Sequence, residues 1–241
     1  MHHAMMTAMA KSKEAYGKDY AFGGGDGVHA SASGHLAMAY AFLKAMGCDG
    51  NIGTITLDLP SEQADATEGH KILSVKGGCV EIESTRYPYC FDPDPNPIPS
   101  KPTHASILPY LPFNEDLNRY LLVVHGLKSP RAKVTWGTQS KVFSAAALAK
   151  GINLAAEYLD NPFSLQFHKV EEMVQAQQGM EISLVNDLLH NIPRLKSQDS
   201  SQAHELEQIA QDGMAQDRKM SDLPGGRVKP VRHTLKVEAI E

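Results

Sequence analysis

Apolar residues recur with a helical period at the beginning of the chain and again near its end. Residues 3–16 are rich in Ala, Met, Lys and Glu, which are good helix formers. Residues 31–46 are apolar around most of a helical surface, which indicates a largely buried helix. Asn161-Pro162 is typical of a helix start. We therefore predict two long helices in the second half of the chain, near 162–190 and near 201–220.

Between these helices, and once more after them, the apolar period changes to two, which is typical of half-buried β-strands. The alternation predicts strands over 51–59, 120–124 and 231–240. Two β-hairpins are predicted where strand-like runs flank short turns, over 71–85 and 132–143. The middle of the chain is therefore expected to be rich in β-structure.

A proline-rich segment interrupts this β-rich part. Eight of the fourteen prolines lie between Pro88 and Pro112. We expect 87–112 to be an extended surface strap, with polyproline II character in 92–102. Because strand-like sequence resumes on both sides of the strap, residues 51–241 are expected to fold as one domain.

Composition and charge exclude several classes of protein. The chain has 241 residues, of which 42% are hydrophobic and 21% charged, so it is not a disordered or fibrous protein. Its net charge of -5 argues against binding to a nucleic-acid backbone. No apolar run approaches the roughly 18–20 residues of a membrane span. The Met-rich start lacks the pattern of a signal peptide, so the localisation stays open.

Cysteines and histidines give no metal-binding pattern. Cys48, Cys79 and Cys90 form no CxxC pair, which argues against a structural zinc site. A disulfide between Cys79 and Cys90 and free buried thiols both remain open. The eleven histidines are scattered, and their spacing matches no metal-binding motif. We therefore expect no metal site.

The pattern with the clearest chemical meaning is Asp26-Gly27-Val28-His29, which follows a Gly-rich loop. An Asp three residues before a His can place its carboxylate beside the imidazole and fix the ring tautomer. The other ring nitrogen is then free to accept a proton from a nucleophile, as in a serine hydrolase triad. The alternative is a surface turn with a solvent-exposed histidine.

Residues 25–35, with the predicted helix after them, resemble the last conserved block of the SGNH (GDSL-type) hydrolases. In that block the DxxH motif supplies the Asp and His of the triad. Residues 16–20, 38–44, 85–90 and 148–155 are similar to a bacterial, lipase-like branch with a C-terminal extension. The resemblance implies hydrolysis of carboxyl esters, such as acyl groups on carbohydrate, with Asp26 orienting His29. It also implies that neither a metal ion nor an organic cofactor takes part. Full-length members of the family are often exported.

The chain departs from this family in one large respect. It contains no Gly-Asp-Ser, and its single Asn-Asp, at Asn186, falls in a predicted helix. The nearest serines, Ser31 and Ser33, are expected to cap a helix. Ala30 replaces the Pro that usually follows the His. We therefore expect the nucleophilic Ser to lie outside this chain, upstream of Met1, and ester hydrolysis by the chain alone to be at background.

The alternative function is a non-catalytic, β-rich module that binds a glycan or another partner. Six aromatic residues could stack on sugar faces, although strand core is their more common role: Tyr87, Tyr89, Phe91, Tyr110, Phe113 and Trp136.

The expected fold class is α+β. Residues 1–50 would be the C-terminal remnant of an SGNH α/β domain. Residues 51–241 would form a β-rich, sandwich-like domain with two long helices inserted before its last strand. In the whole enzyme the helix at 31–46 would pack on a sheet that this chain lacks, so we expect self-association through residues 1–46.

Overall fold

The computed structural model of the chain describes residues 2–91, 102–198, 200–222, 226 and 228–240. The chain divides into two compact units. The first unit is formed by Met1–Ser164 and Pro230–Glu241, and the second by Leu165–Lys229. The proposed division into 1–50 and 51–241 stays a prediction.

The helices and strands are numbered in chain order. The α-helices are α1 (His2–Tyr16), α2 (Ala32–Ala45), α3 (His104–Ile107), α4 (Phe113–Leu117), α5 (Ala145–Lys150), α6 (Leu154–Glu157), α7 (Ser164–Ser183), α8 (Ile192–Gln198) and α9 (Ala203–Ser221). The strands are β1 (Asn51–Asp58), β2 (Gln63–Ala66), β3 (His70–Lys76), β4 (Cys79–Ser84), β5 (Arg119–His125), β6 (Arg131–Trp136), β7 (Gln139–Ser144), β8 (Ile152–Asn153) and β9 (Val231–Ile240).

Two sheets make up the β-structure of the first unit. The four-stranded sheet has the order β2-β1-β5-β8, and its central pair, β1 and β5, is parallel. The five-stranded sheet is antiparallel and has the order β3-β4-β9-β6-β7. The three predicted strands and both hairpins are confirmed. The α+β fold class is confirmed as well, with two long helices before the last strand.

The two sheets meet through aromatic side chains. Tyr120 of β5, which is fully buried, stacks on the ring of His70 from β3 at a centroid distance of 4.8 Å. It also contacts Trp136 of β6 and His233 of β9. The last strand therefore lies at the centre of its sheet and contributes directly to the contact between the sheets.

A second core joins the N-terminal helices to α3 and α4. It includes Leu36 and Ala37 of α2 together with Ile107 and Phe113, all of them buried. The expectation of an extended surface strap is therefore wrong for 104–110, which is helical and buries Ala105, Ser106 and Ile107. Residues 92–101 lie outside the described residues.

Local capping explains why this part of the strap is helical. The Thr103 hydroxyl accepts the N–H of Ser106, which starts α3. Pro109 stands in the first turn of the 3-10 helix Leu108–Tyr110, where a missing N–H costs no hydrogen bond. Prolines at these positions are therefore compatible with helix.

Helix α2 is less buried than its sequence predicts. Ser33, Gly34, Leu36 and Ala37 face the core, whereas Phe42 remains 56% exposed. The apolar residues on the other side of α2 are therefore open to solvent.

The second unit contains α7, α8 and α9. Helix α7 starts two residues later than predicted, and the chain changes from α-helical to π-helical turns at Leu184–Leu189. The predicted helix near 162–190 is thus confirmed in position but is not α-helical throughout. Among the described residues, no helix is long and apolar enough to cross a membrane.

Candidate active site

The loop that carries the DxxH motif joins α1 to α2 and is fixed at its base by two buried aromatic residues. Tyr20 and Phe22 are 1% and 2% exposed. The Tyr20 hydroxyl hydrogen-bonds to the Ser106 hydroxyl at 2.6 Å. The Ser31 hydroxyl donates to the backbone carbonyl of Phe22 at 2.7 Å. Both ends of the loop are therefore attached to the core.

The structure brings Asp26 and His29 into direct contact. Oδ2 of Asp26 lies 2.6 Å from Nδ1 of His29. Oδ1 of Asp26 accepts the backbone N–H groups of Val28 and His29, at 3.0 and 2.9 Å. The carboxylate therefore closes the turn with one oxygen and orients the imidazole with the other.

Gly24 makes this turn possible. Its φ is +88°, and an added Cβ would lie 1.6 Å from the carbonyl oxygen of His29. A side chain at this position would combine a strained backbone with a steric clash. The close approach of residues 24 and 29 places Nδ1 of His29 within hydrogen-bond distance of the Asp26 carboxylate.

Hydrogen bonding lowers the pKa of Asp26 to about 2. The largest cause is the side chain of His29, followed by the backbone N–H groups of His29 and Val28. At neutral pH the carboxylate is ionised, so Nδ1 of His29 carries the hydrogen that it accepts. The His29 side chain is 87% exposed. Its Nε2 has no hydrogen-bond partner among the described residues, and this is the atom that a general base would use.

The two nearest serines do not reach that atom. The Ser31 hydroxyl caps α2 by accepting the N–H of Gly34 and also hydrogen-bonds to the Ser33 hydroxyl at 2.9 Å. Ser33 is fully buried. The capping role of Ser31 is thus confirmed, and in the part of the chain that the structure describes no serine bonds to His29. Asn186 lies in the π-helical segment of the second unit.

The other candidate residues stay apart from one another. No group of three His, Cys, Asp or Glu side chains that could hold a metal ion occurs in residues 2–91, 102–198, 200–222, 226 and 228–240. The three cysteines are free, with Cys48 exposed, Cys79 partly exposed and Cys90 buried. Trp136 and Phe113 are core residues, at 0% and 1% exposure, which agrees with the common role of such aromatics.

One buried polar network was not predicted from the sequence. The Ser84 hydroxyl hydrogen-bonds to both His70 and His233 between the sheets, and all three side chains are buried. The sequence carried a signal for it. His233, Leu235 and Val237 are spaced two residues apart in β9 and therefore share its buried face. Because these side chains are buried between the sheets, we expect their hydrogen bonds to stabilise the fold and not to bind a ligand.

Comparisons with known proteins reveal a similarity of structure alone. No protein-family model matches the chain, and no curated protein matches it. Among solved structures, a gut microbial diltiazem-metabolizing enzyme is similar, with a TM-score of 0.65 and 23% sequence identity. The match covers 98% of this chain and 60% of that enzyme. The chain thus has the fold of a part of that enzyme and spans about 60% of its length.

Proposed function

We propose that the chain is part of an SGNH-type serine esterase in which Asp26 orients His29 and His29 acts as the general base. The observation that carries the proposal is the 2.6 Å contact between Oδ2 of Asp26 and Nδ1 of His29. An ionised carboxylate on Nδ1 fixes the tautomer in which Nε2 can accept a proton. It also stabilises the imidazolium that forms when the nucleophile loses that proton.

Exposure of His29 supports an arrangement in which the nucleophile comes from outside the chain. A general base contributes about 10²–10⁴-fold when the proton that it takes lies within about 2.6–3.2 Å. No described serine occupies that position. The proposed nucleophile is therefore a Ser encoded upstream of Met1, with carboxyl esters, and acyl groups on carbohydrate in particular, as substrates. A fold shared with part of a drug-metabolizing enzyme is compatible with this role.

Turnover of p-nitrophenyl acetate tests the proposal. The chain alone should be at background, and the chain joined to the segment encoded upstream should hydrolyse the ester. Equal turnover above background by both proteins would place the nucleophile within this chain and contradict the proposal.

The second candidate is a non-catalytic module that binds a glycan or a protein partner. The observation that favours it is the same exposure of His29, whose Nε2 meets no nucleophile in the described part of the chain. An upstream segment that carries no serine nucleophile and gives no ester turnover when joined would favour this candidate.

A further inference from the structure

A cleft in the first unit lies where the connection from α2 to β1 meets the segment that follows β4. Its volume is about 280 Å³, and it is lined by residues 48–52 and by Arg86, Tyr87 and Tyr89. None of these residues belongs to the loop of Asp26 and His29. The volume is just below the ~300–1,000 Å³ typical of pockets for drug-sized ligands. The cleft therefore suits a ligand of one six-membered ring.

Tyr87 and Tyr89 form the aromatic wall of the cleft, and buried residues behind them fix their positions. Asn118, which is fully buried, accepts the backbone N–H of Tyr89 at 2.8 Å and donates to its carbonyl at 3.0 Å. The Tyr89 ring meets Phe113 edge to face at a centroid distance of 5.3 Å. The Tyr87 ring packs against buried Phe163 at 5.2 Å. Both rings are thus fixed before a ligand arrives, which reduces the entropic cost of binding.

The opposite wall is fixed as well. Gly50 has a φ of +67°, and an added Cβ would lie 2.1 Å from the carbonyl oxygen of Asp116. Arg119 donates its backbone N–H to the Gly50 carbonyl at 2.9 Å and a guanidinium N–H to the Asp49 carbonyl at 2.6 Å. The Asp49 carboxylate accepts the N–H of Asn51 at 2.9 Å.

Two hydrogen-bond donors of the cleft have no partner among the described side chains and backbone groups. One is the guanidinium of Arg86, an exposed residue. The other is the hydroxyl of Tyr89, a half-buried residue. Burial raises the pKa of Tyr89, with nearby Cys48 as the second cause, so the phenol keeps its proton at neutral pH and can donate it.

We propose that this cleft binds the carboxylate-bearing ring of a sugar acid. The Arg86 guanidinium would bind the carboxylate by donating two parallel hydrogen bonds, the geometry that Arg–carboxylate pairs favour. The rings of Tyr87 and Tyr89 would face the apolar side of the sugar. Asp49 and Asn51 supply acceptors and donors for its hydroxyls. Since Asp49 also lines the cleft and adds a negative charge to it, a singly charged carboxylate fits better than a doubly charged phosphate.

The exposed thiol of Cys48 reports on occupancy directly, because it lines the cleft. Glucuronate is the probe, and glucose is its neutral counterpart. Glucuronate should slow the reaction of Cys48 with a thiol reagent, whereas glucose at the same concentration should not. Cys79, which is partly exposed and does not line the cleft, provides the internal control. Equal rates at Cys48 with and without glucuronate would overturn the proposal.

Calorimetric titration of variants tests the role of Arg86. We expect glucuronate to bind with a Kd of about 1 mM or tighter and Arg86→Gln to weaken binding roughly 10- to 100-fold. Arg86→Lys, which keeps the charge but loses the paired N–H groups, should fall between the two. Arg232→Gln, at an exposed arginine paired with Glu83, is the matched control and should bind like the parent. Glucose binding as tightly as glucuronate, or unchanged binding in Arg86→Gln, would contradict the proposal. No ester turnover enters either measurement, so the result is independent of the proposed hydrolase.

Discussion

The indole N–H of Trp136 donates a hydrogen bond to Nδ1 of His233 at 3.1 Å in the contact between the two sheets. An indole nitrogen can only donate, so Nδ1 of His233 must accept and its hydrogen must lie on Nε2. Nε2 lies 3.0 Å from the Ser84 hydroxyl oxygen, which accepts this hydrogen, and 3.3 Å from the Tyr120 hydroxyl. The relationship therefore fixes both the tautomer and the neutral state of a buried histidine.

The same reasoning orders the remaining hydrogen bonds. Nε2 of His70 lies 3.0 Å from the carbonyl of Ile52, which can only accept, so Nδ1 of His70 has no hydrogen. The Ser84 hydroxyl, 2.8 Å away, must donate to it. Ser84 thus accepts from His233 and donates to His70. These bonds assign one position to each hydrogen shared by His70, Ser84 and His233.

Removing the Ser84 hydroxyl should be costly. Ser84→Ala leaves a buried acceptor on His70 without a partner, and the Nε2 hydrogen of His233 keeps only the more distant Tyr120 hydroxyl, at 3.3 Å from Nε2. We expect the free energy of unfolding to fall by about 2–4 kcal/mol, measured by urea denaturation. Ser140→Ala, which removes an exposed hydroxyl bonded to Thr135, is the control and should change stability by less than about 0.5 kcal/mol. Equal losses in the two variants would refute the ordered network.

The network also predicts a loss of stability in mild acid. Burial lowers the pKa of His233 to about 3 and lowers that of His70, against about 6.5 in an unfolded chain. Above pH 6.5 both states hold neutral histidines and stability is full. Below pH 6.5 only the unfolded chain takes up the proton. The free energy of unfolding therefore falls by about 1.4 kcal/mol per pH unit for each such histidine, until the pH reaches the pKa of that histidine in the folded protein.

Denaturation at pH 7 and pH 5 measures this effect. His233 alone should account for a decrease of about 2 kcal/mol over that interval. Nitrogen chemical shifts of the folded protein should show a neutral His233 at pH 5. A protonated His233 at that pH, or the same stability at both values, would contradict the prediction.

Gly24 offers a test of the Asp26–His29 turn that leaves both side chains in place. Gly24→Ala should strain the backbone by about 1–3 kcal/mol and separate the pair. The pKa of Asp26, followed by NMR, should then rise from about 2 toward its ordinary value. Gly23→Ala is the matched control, because an added Cβ there meets nothing within 4 Å. An Asp26 pKa that stays at about 2 in Gly24→Ala would show that the turn does not depend on this glycine.

Self-association through residues 1–46 remains a prediction, and the structure points to the side chains that would mediate it. Phe42 and Met46 stand one helical turn apart and are 56% and 69% exposed. We expect analytical ultracentrifugation at micromolar concentration to show oligomers that the double variant Phe42→Ser, Met46→Ser converts to monomer. Val142→Ser, at an apolar residue 52% exposed on β7, should leave them intact. A monomeric parent protein would rule out this expectation.

The strands were predictable because a period of two is a local property of the sequence. In β9 it also places His233 on the buried face with Leu235 and Val237. The position of β9 between β4 and β6 was not predictable, since those partners lie roughly a hundred residues or more away in sequence. Helix α3 was missed because the number of prolines around it outweighed the capping signal of Thr103.

The Asp26–His29 contact follows from sequence for a different reason. Three residues of spacing and flanking glycines allow a single turn to bring the two side chains together, and the structure places them so. Their catalytic role, in contrast, stays a prediction, because it depends on a nucleophile that no described residue provides. The cleft at Arg86 and Tyr89 was beyond prediction, since its walls come from separate parts of the fold.

The most direct test of the general-base role of His29 is ester hydrolysis by the chain joined to the segment encoded upstream, with His29→Ala compared with His35→Ala. His35 is an exposed histidine at the start of α2 and makes no contact with Asp26. We predict that His29→Ala lowers kcat for p-nitrophenyl acetate by about 10²–10⁴-fold and that His35→Ala leaves it unchanged. Unchanged kcat in His29→Ala, in a joined protein that hydrolyses the ester, would contradict the role of His29 as the general base.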